Sequence, residues 1–417
     1  MRLRILGAAL AMLSAGLIVA GCGSSTDSGS ASSGSSGSTS SSSSSSGDSA
    51  TNRPFKVLFD ADTTGPLKAY GQQDLNGLKS VIDYLNANGG MLGQRIELDT
   101  VSSNGDTATA VSNLLRYLTS NSAPDFVFSG TAGNEVSALI PILARRGLLS
   151  ASVNDGANQC ARDSQTACPT FFTVAAPSNV PQEAVARFFK DRGARTVGIL
   201  EANEAFTQTE TPAIQAALRR EGISTVEAKF PSTATDLTSQ VQQLQSDGAD
   251  AIYAEVLGAP AGYAAAARAK LGWDAPLVFD VAASSVDLTR LADPSQLRNA
   301  YEVVFRTNDP SQRLAGLPLL VRGAERYGGV GGGVPVDVAA FPWDDMLTVA
   351  AGVRAARSFD PKAIMAALER TAVTDPNLLL SSTVQLTPDI HENTAGTPAD
   401  YPVIAVGPIR DGQVQAP

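Results

Sequence analysis

From Pro54 onward the chain repeats one unit: a short apolar run, a turn, then a longer stretch with apolar residues three and four apart. This alternation constrains the fold more than any other feature. "FKVLFDA" is short, apolar and bounded by turn residues, as a buried strand is. In "LNGLKSVIDYLNANGG", Leu75, Leu78, Ile82 and Leu85 share one helical face, and Gly89-Gly90 end it. "QRIELDTVS", "DFVFSG" and "LLSASV" read as strands, with "TATAVSNLLRYLTS" and "NEVSALIPILARRG" as the helices between. After "FFTVAA" a second series begins with "QEAVARFFKDRG" and "RTVGILEA" and runs to "PLVFDVA". Strands alternating with helices predict parallel sheets covered on both faces. Two series joined near Ala175-Ala176-Pro177-Ser178 predict two similar α/β lobes. The end is less regular: a strand in "AYEVVFRTND", a helix at about Gln312–Tyr327, then "GGVGGGV" and a helix around "WDDMLTVAAGVRAA". The glycine run follows a helix and lacks the lysine of a phosphate loop, so it reads as a flexible surface connection.

The start of the chain is built differently. Arg2 and Arg4 precede an apolar run, Ile5 to Ala20, shorter than the ~20 residues of a membrane span. Small residues then follow, the order of an export signal. Val19-Ala20-Gly21-Cys22 resembles the lipobox of bacterial lipoproteins, which implies removal of residues 1–21 and a lipidated Cys22. An ordinary secretory signal with a chance cysteine is the alternative. Residues 23–52 are mostly serine and glycine, too poor in apolar side chains to fold, and form a flexible tether.

The remaining residues, about 365, suffice for two domains. With 31 Lys+Arg against 41 Asp+Glu the net charge is −10, and there is no basic stretch. That argues against nucleic acid and against electrostatic docking on anionic lipid as partners. Two cysteines, Cys160 and Cys168, remain, and an exported protein with such a pair is expected to close one structural disulfide, a free pair being the alternative. A zinc site is not expected, since His391 is the single histidine.

The stretch from Gly65 to Leu115 then carries a specific resemblance. Gly65, Gly71, Asn86, Gly89, Gly90, Gly93 and Ile96-Glu97-Leu98 are similar to the opening of type I solute-binding proteins, in the leucine/isoleucine/valine-binding branch. "WDDMLTVAAGVRAA" resembles that family's Tyr-Asp-Ala helix, with Trp343 for the tyrosine. The resemblance runs from about Pro54 to Gly412. It implies two Rossmann-like lobes with parallel sheets, three hinge crossovers and a ligand cleft between: the type I periplasmic-binding-protein fold. The N-terminal lobe is expected to take 53–175 and 308–356, and the C-terminal lobe 176–307 and 357–417. The implied protein is no enzyme and needs no cofactor. It is a monomer on the outer face of the cytoplasmic membrane that passes a small solute to ABC permease and ATPase subunits. A sensor of the same fold, signalling to a membrane partner without transport, is the rival; neighbouring permease genes would decide for import.

In parallel α/β sheets ligands bind beyond the carboxyl ends of strands. The turn after "FVFSG" offers Thr131, Ala132, Gly133 and Asn134 at a helix start, a geometry suited to a ligand carboxylate, though helix capping by Thr131 or Asn134 explains the same residues. Ser152 and Asn154 match the family's second contact turn. Tyr70 stands at the family's aromatic lid position, and Phe206 replaces the tyrosine of its Asp-x-x-Tyr-Gly turn; both also suit plain packing. Leu257 and Asp280 complete the rim. Asp280 stands two positions before the family's ammonium-binding carboxylate, where Ala282 falls, so the resemblance does not imply an amino acid as ligand. Catalysis finds no support: there is no Gly-x-Ser-x-Gly elbow, Asp344 and Asp345 face different ways on one helix, and His391 in "PDIHENTAG" reads as a solvated surface residue.

Overall fold

The computed structural model describes residues 51–60, 62–65, 67–129, 133–152, 168–203, 207–231 and 233–417. The first series runs β1 (Phe55–Asp60), α1 (Lys68–Ala87), β2 (Ile96–Val101), α2 (Thr107–Ser120), β3 (Phe126–Phe128), α3 (Gly133–Arg146), β4 (Ser150–Ala151) and β5 (Phe171–Phe172). Its five strands form one parallel sheet, ordered β2-β1-β3-β4-β5. The second series runs α4 (Asn179–Asp191), β6 (Thr196–Ala202), α5 (Thr207–Arg220), β7 (Ser224–Phe230), α6 (Thr238–Ser246), β8 (Ala251–Glu255), α7 (Ala259–Lys270), β9 (Leu277–Phe279) and β10 (Ala300–Val303). These strands build a second sheet, ordered β11-β10-β9-β8-β6-β7, in which only the late β11 (Val403–Ala405) is antiparallel. Between β10 and β11 come α8 (Leu317–Ala324), α9 (Asp337–Ala356) and α10 (Pro361–Arg370), and a hairpin of β12 (Ile409–Arg410) and β13 (Gln413–Val414) ends the chain. The α/β class and two parallel-dominated sheets are those expected.

Strand alternation decides what each helix covers. Phe55, Val57 and Phe59 of β1 point into the core that holds α1 and α9, while Leu58 points to Leu114 and Leu139 of α2 and α3. Helix α1 stops because Gly89 and Gly90 have φ of 99° and 62°, a conformation open to glycine; a Cβ on Gly90 would also lie 2.0 Å from Gln94 O. Helix α2 starts where Asp106 accepts the Thr109 N–H at 2.7 Å. The helix expected from Gln312 begins five residues later, at Leu317, with Pro318 in its first turn.

Helix α9 packs on α1 so closely that Gly77 faces the Ala339 backbone, a Cβ there falling 2.3 Å from Ala339 O. The loop 328–333 has five glycines at positive φ, yet it is not loose. Gly331 N–H donates to Gln73 Oε1 at 2.8 Å, and Asn76 Nδ2 donates to Gly329 O at 2.8 Å. The sequence gives no sign of this, because the tie runs to α1, some 250 residues earlier.

The chain passes between the sheets three times, after β5, after β10 and before β11. The three crossings touch. Ala176 N–H donates to Tyr401 Oη at 3.1 Å, the Phe305 and Tyr401 rings lie 5.2 Å apart, and Arg306 pairs with Asp400 at 3.2 Å. One boundary shifts: 357–417 was expected with the second sheet, but Phe359 stacks edge-on against Phe55 of β1 and the Asn393 N–H donates to Ala175 O. The chain therefore lies with the first sheet until it nears β11. Apolar contact with β1 decides this, and periodicity within 357–393 does not report it.

Candidate functional site

At the carboxyl end of β1, Asp62 accepts the N–H groups of Gly65 at 2.7 Å and Leu67 at 3.1 Å, folding the loop onto α1. The two glycines of the opening motif are steric. A Cβ on Gly65 would meet Asn104 O at 2.3 Å, and one on Gly71 would meet Asp62 O at 2.2 Å. This fold-back sets Tyr70 in the first turn of α1, half-buried, with its hydroxyl donating to Ser285 O at 2.9 Å. Ser285 lies in a short helical turn just past β9, so this bond joins elements of different sheets.

The exit of β3 leads to Gly133, the first residue of α3. Asn134 is exposed and donates to Thr107 Oγ1 at 2.9 Å, tying α3 to α2. Glu135 is buried in that first turn and accepts from Ser103 Oγ at 2.6 Å. Burial, then the nearby Glu135, push the Asp60 carboxyl up to about 6. The positive helix end therefore already faces carboxyl groups of the protein. Ser152, just past β4, is fully buried. Thr131, Ala132, Asn154 and Phe206, with Cys22 and Cys160, lie outside the described residues. Cys168 is buried and disulfide-bonded.

The second sheet contributes a row of charge that the sequence did not single out. Lys229 of β7 is in register with Glu201 of β6, and Glu201 with Glu255 of β8. Asp280 follows Phe279, which pairs with Ala254, so it stands beside Glu255. The four side chains thus step across adjacent strands ~4.8 Å apart. Lys229 Nζ meets Glu201 at 3.1 Å. Glu255 is fully buried and accepts from Thr211 Oγ1 of α5. Burial, with Asp280, Glu210 and Glu201 nearby, pushes its carboxyl up to about 9. Tyr253 lies two residues earlier on the same face and is raised well above the usual phenol value, chiefly by burial. Strand alternation in "ADAIYAEV" is the signal that could have paired Tyr253 with Glu255 on one face.

Asp280 is buried, and its Oδ1 accepts the Ala283 N–H at 2.9 Å, holding the turn that carries Ser285. Leu257, beyond the end of β8, is 51% exposed. A groove of about 590 Å³ lies elsewhere, along β2 beside Lys79, Asp83, Arg95 and Tyr327, and none of the expected ligand residues lines it.

His391 corrects one expectation. It is 1% exposed, with Nδ1 3.0 Å from Phe171 O and Nε2 3.0 Å from Glu369. Its loop is polar in sequence but runs against β5, which covers the ring. Asp344 and Asp345 are both fully buried. Asp344 accepts the N–H groups of Leu379 and Leu380 at 2.8 Å each, and burial raises its carboxyl to about 8. The Asp345 carboxyl oxygens have no hydrogen-bond partner, and burial raises this group well above the carboxylate range. Among the described residues no group of three or more His, Cys, Asp or Glu could hold a metal ion, and no helix is long and apolar enough to cross a membrane.

Two parallel-dominated sheets, three touching crossovers and loops that meet from opposite carboxyl edges define the two-lobed fold of a periplasmic binding protein. The chain belongs to the periplasmic binding protein family, whose model matches residues 54–397. Members of that family bind solutes and are not enzymes. A curated relative, the Leu/Ile/Val-binding protein BraC3 of Rhizobium johnstonii, is 27% identical over 207 residues, 46% of this chain. The chain spans about half the length of that relative, 52%. Among solved structures, a type 1 periplasmic binding protein from Bordetella pertussis superposes with a TM-score of 0.68 at 19% identity, covering 85% of this chain and 100% of that one. A solute-binding protein of an ABC transporter from R. palustris, in complex with 4-hydroxybenzoate, gives 0.65 at 16% identity over 87% of this chain and 95% of that one.

Proposed function

We propose that this chain is the extracytoplasmic, lipid-anchored solute-binding subunit of an ABC importer, and that it captures a small organic solute by closing its lobes. The observation that carries the reading is the Tyr70–Ser285 bond, which brings the carboxyl-edge loops of the two sheets within hydrogen-bond reach. Backbone and hydroxyl groups from Thr131 to Asn134, with Ser152 and Asn154, hold the polar head of the solute. The Tyr70 and Phe206 rings and exposed Leu257 cover its apolar part, and Asp280 faces any cationic group. The solute is amino-acid-like, an amide or a small carboxylate. Cys22 carries the lipid, residues 23–52 tether the body, and Cys168 pairs with Cys160. Permease and ATPase subunits take the solute from a monomeric receptor.

A thermal-shift panel of amino acids, amides and aromatic acids tests this. Binding the native state alone stabilises it by about 2.7 kcal/mol at a hundredfold excess over Kd, a rise of a few degrees. Gly133→Leu should abolish the shift with little change in the unliganded midpoint. Binding that survives both Gly133→Leu and truncation of Tyr70 and Phe206 would place the site elsewhere. For the anchor, Cys22→Ala should release the body from membranes or leave its signal uncleaved.

A further inference from the structure

Tyr70 does more than line a wall, because its hydroxyl is already engaged. It donates to the Ser285 carbonyl at 2.9 Å across 215 residues of sequence, from the first turn of α1 to the turn after β9. Both ends are held. Tyr70 is fixed by the loop that Asp62 folds onto α1. Ser285 is fixed by a turn in which Asp280 accepts the Ala283 N–H, Ser284 Oγ donates to Val303 O at 2.6 Å and Ser285 Oγ donates to Ala282 O at 2.7 Å. A second approach lies nearby in sequence. Arg290, five residues beyond Ser285, sets its guanidinium against the loop that precedes α9, where a Cβ built on Gly333 would fall 2.8 Å from Nη1. That loop is itself tied to α1, since Gln73 Nε2 donates to Pro335 O at 2.5 Å and its Oε1 accepts the Gly331 N–H. Elements fixed to the first sheet thus meet elements fixed to the second at two points, both outside the crossovers.

We propose that Tyr70 is a latch, seconded by Arg290 against Gly333, that holds the closed arrangement of the two lobes through protein groups alone. Because the latch uses a backbone carbonyl and a glycine surface, it needs no solute to form. The closed form is therefore populated before capture, and part of a solute's apparent affinity is set by bonds between protein groups rather than by bonds to the solute. The proposal rests on the reading that the two lobes open and close about the crossovers.

The test measures the separation of the lobes in the full mature protein without added solute. Spin labels at Ser120→Cys on α2 and Gln245→Cys on α6, both exposed, report the distance distribution by pulsed electron resonance. Tyr70→Phe removes one neutral hydrogen bond and should change the closed-to-open ratio about two- to tenfold toward open. Arg290→Ala should move it the same way by less, since Arg290 is 67% exposed. Tyr327→Phe is the control: it deletes a tyrosine bond to Asp83 of α1 that does not leave the first-sheet layer, and should leave the distribution where it was. A distribution unmoved by Tyr70→Phe, or moved as far by Tyr327→Phe, overturns the latch. The solute panel is read separately on the unlatched and native proteins. A hit with an unmoved distance sinks the latch and spares the receptor reading; a moved distance with no hit does the reverse.

Discussion

Replacing Glu255 by glutamine should stabilise the protein at neutral pH, and by an amount that grows with pH. In the unfolded chain this carboxyl titrates near 4.5; in the fold, burial raises it to about 9. Between those values the folded state binds a proton that the unfolded state has lost, so stability falls as pH rises. The contribution is complete below about 4.5 and is gone once pH passes about 9. Each unit is worth 1.36 kcal/mol, so by pH 7 the cost is about 3.4 kcal/mol, an upper figure for so buried a group. Glutamine keeps an oxygen for the Thr211 hydroxyl and aims its NH₂ toward the carboxyls of Asp280 and Glu210, while taking up no proton. Urea unfolding at pH 5, 6, 7 and 8 should give curves that diverge by roughly 1 kcal/mol per pH unit, with Glu255→Gln the more stable at pH 8. Glu302 and Asp344, each raised to about 8, and Asp60, raised to about 6, slope the same way but are present in both proteins and cancel in the difference. Parallel curves would refute the argument, since they would mean that Glu255 titrates alike in the folded and unfolded chains.

Three further outcomes are expected. Gly77→Ala places a methyl 2.3 Å from the Ala339 carbonyl oxygen, a backbone atom that cannot swing away, and should lower the unfolding free energy by about 1–3 kcal/mol in denaturant titration. Asp344→Ala should cost roughly 2–4 kcal/mol by leaving the buried Leu379 and Leu380 N–H groups unpaired, whereas Asp344→Asn, which retains an acceptor, should cost less; equal losses would show that those bonds do not matter. Alkylation without reductant should leave Cys168 unmodified, with a mass placing it in a bridge to Cys160, and reduction should cost about 2–3 kcal/mol for so short a loop.

The elements were legible because each is written in its own few residues. "TATAVSNLLRYLTS" and "STVEAKF" are Thr107–Ser120 and Ser224–Phe230 residue for residue, since a helical stripe or a buried run needs no knowledge of its partners. The opening glycines were legible as a motif, but only the structure supplied their cause, the backbones of Asn104 and Asp62 passing too close for a Cβ. What the sequence could not determine is set by register and by distance along the chain. Lys229, Glu201, Glu255 and Asp280 form a row only because four strands pair in one register, and no local pattern announces it. His391 looked solvated because its neighbours are polar; it is buried because its loop returns to β5, 220 residues earlier. Tyr70 was readable as an aromatic at a cleft, whereas its partner, a backbone carbonyl at Ser285, has no side-chain signature at all. Short-range order follows from side-chain periodicity, while charge rows, burial of polar groups and contacts between lobes arise only when the two sheets stand together.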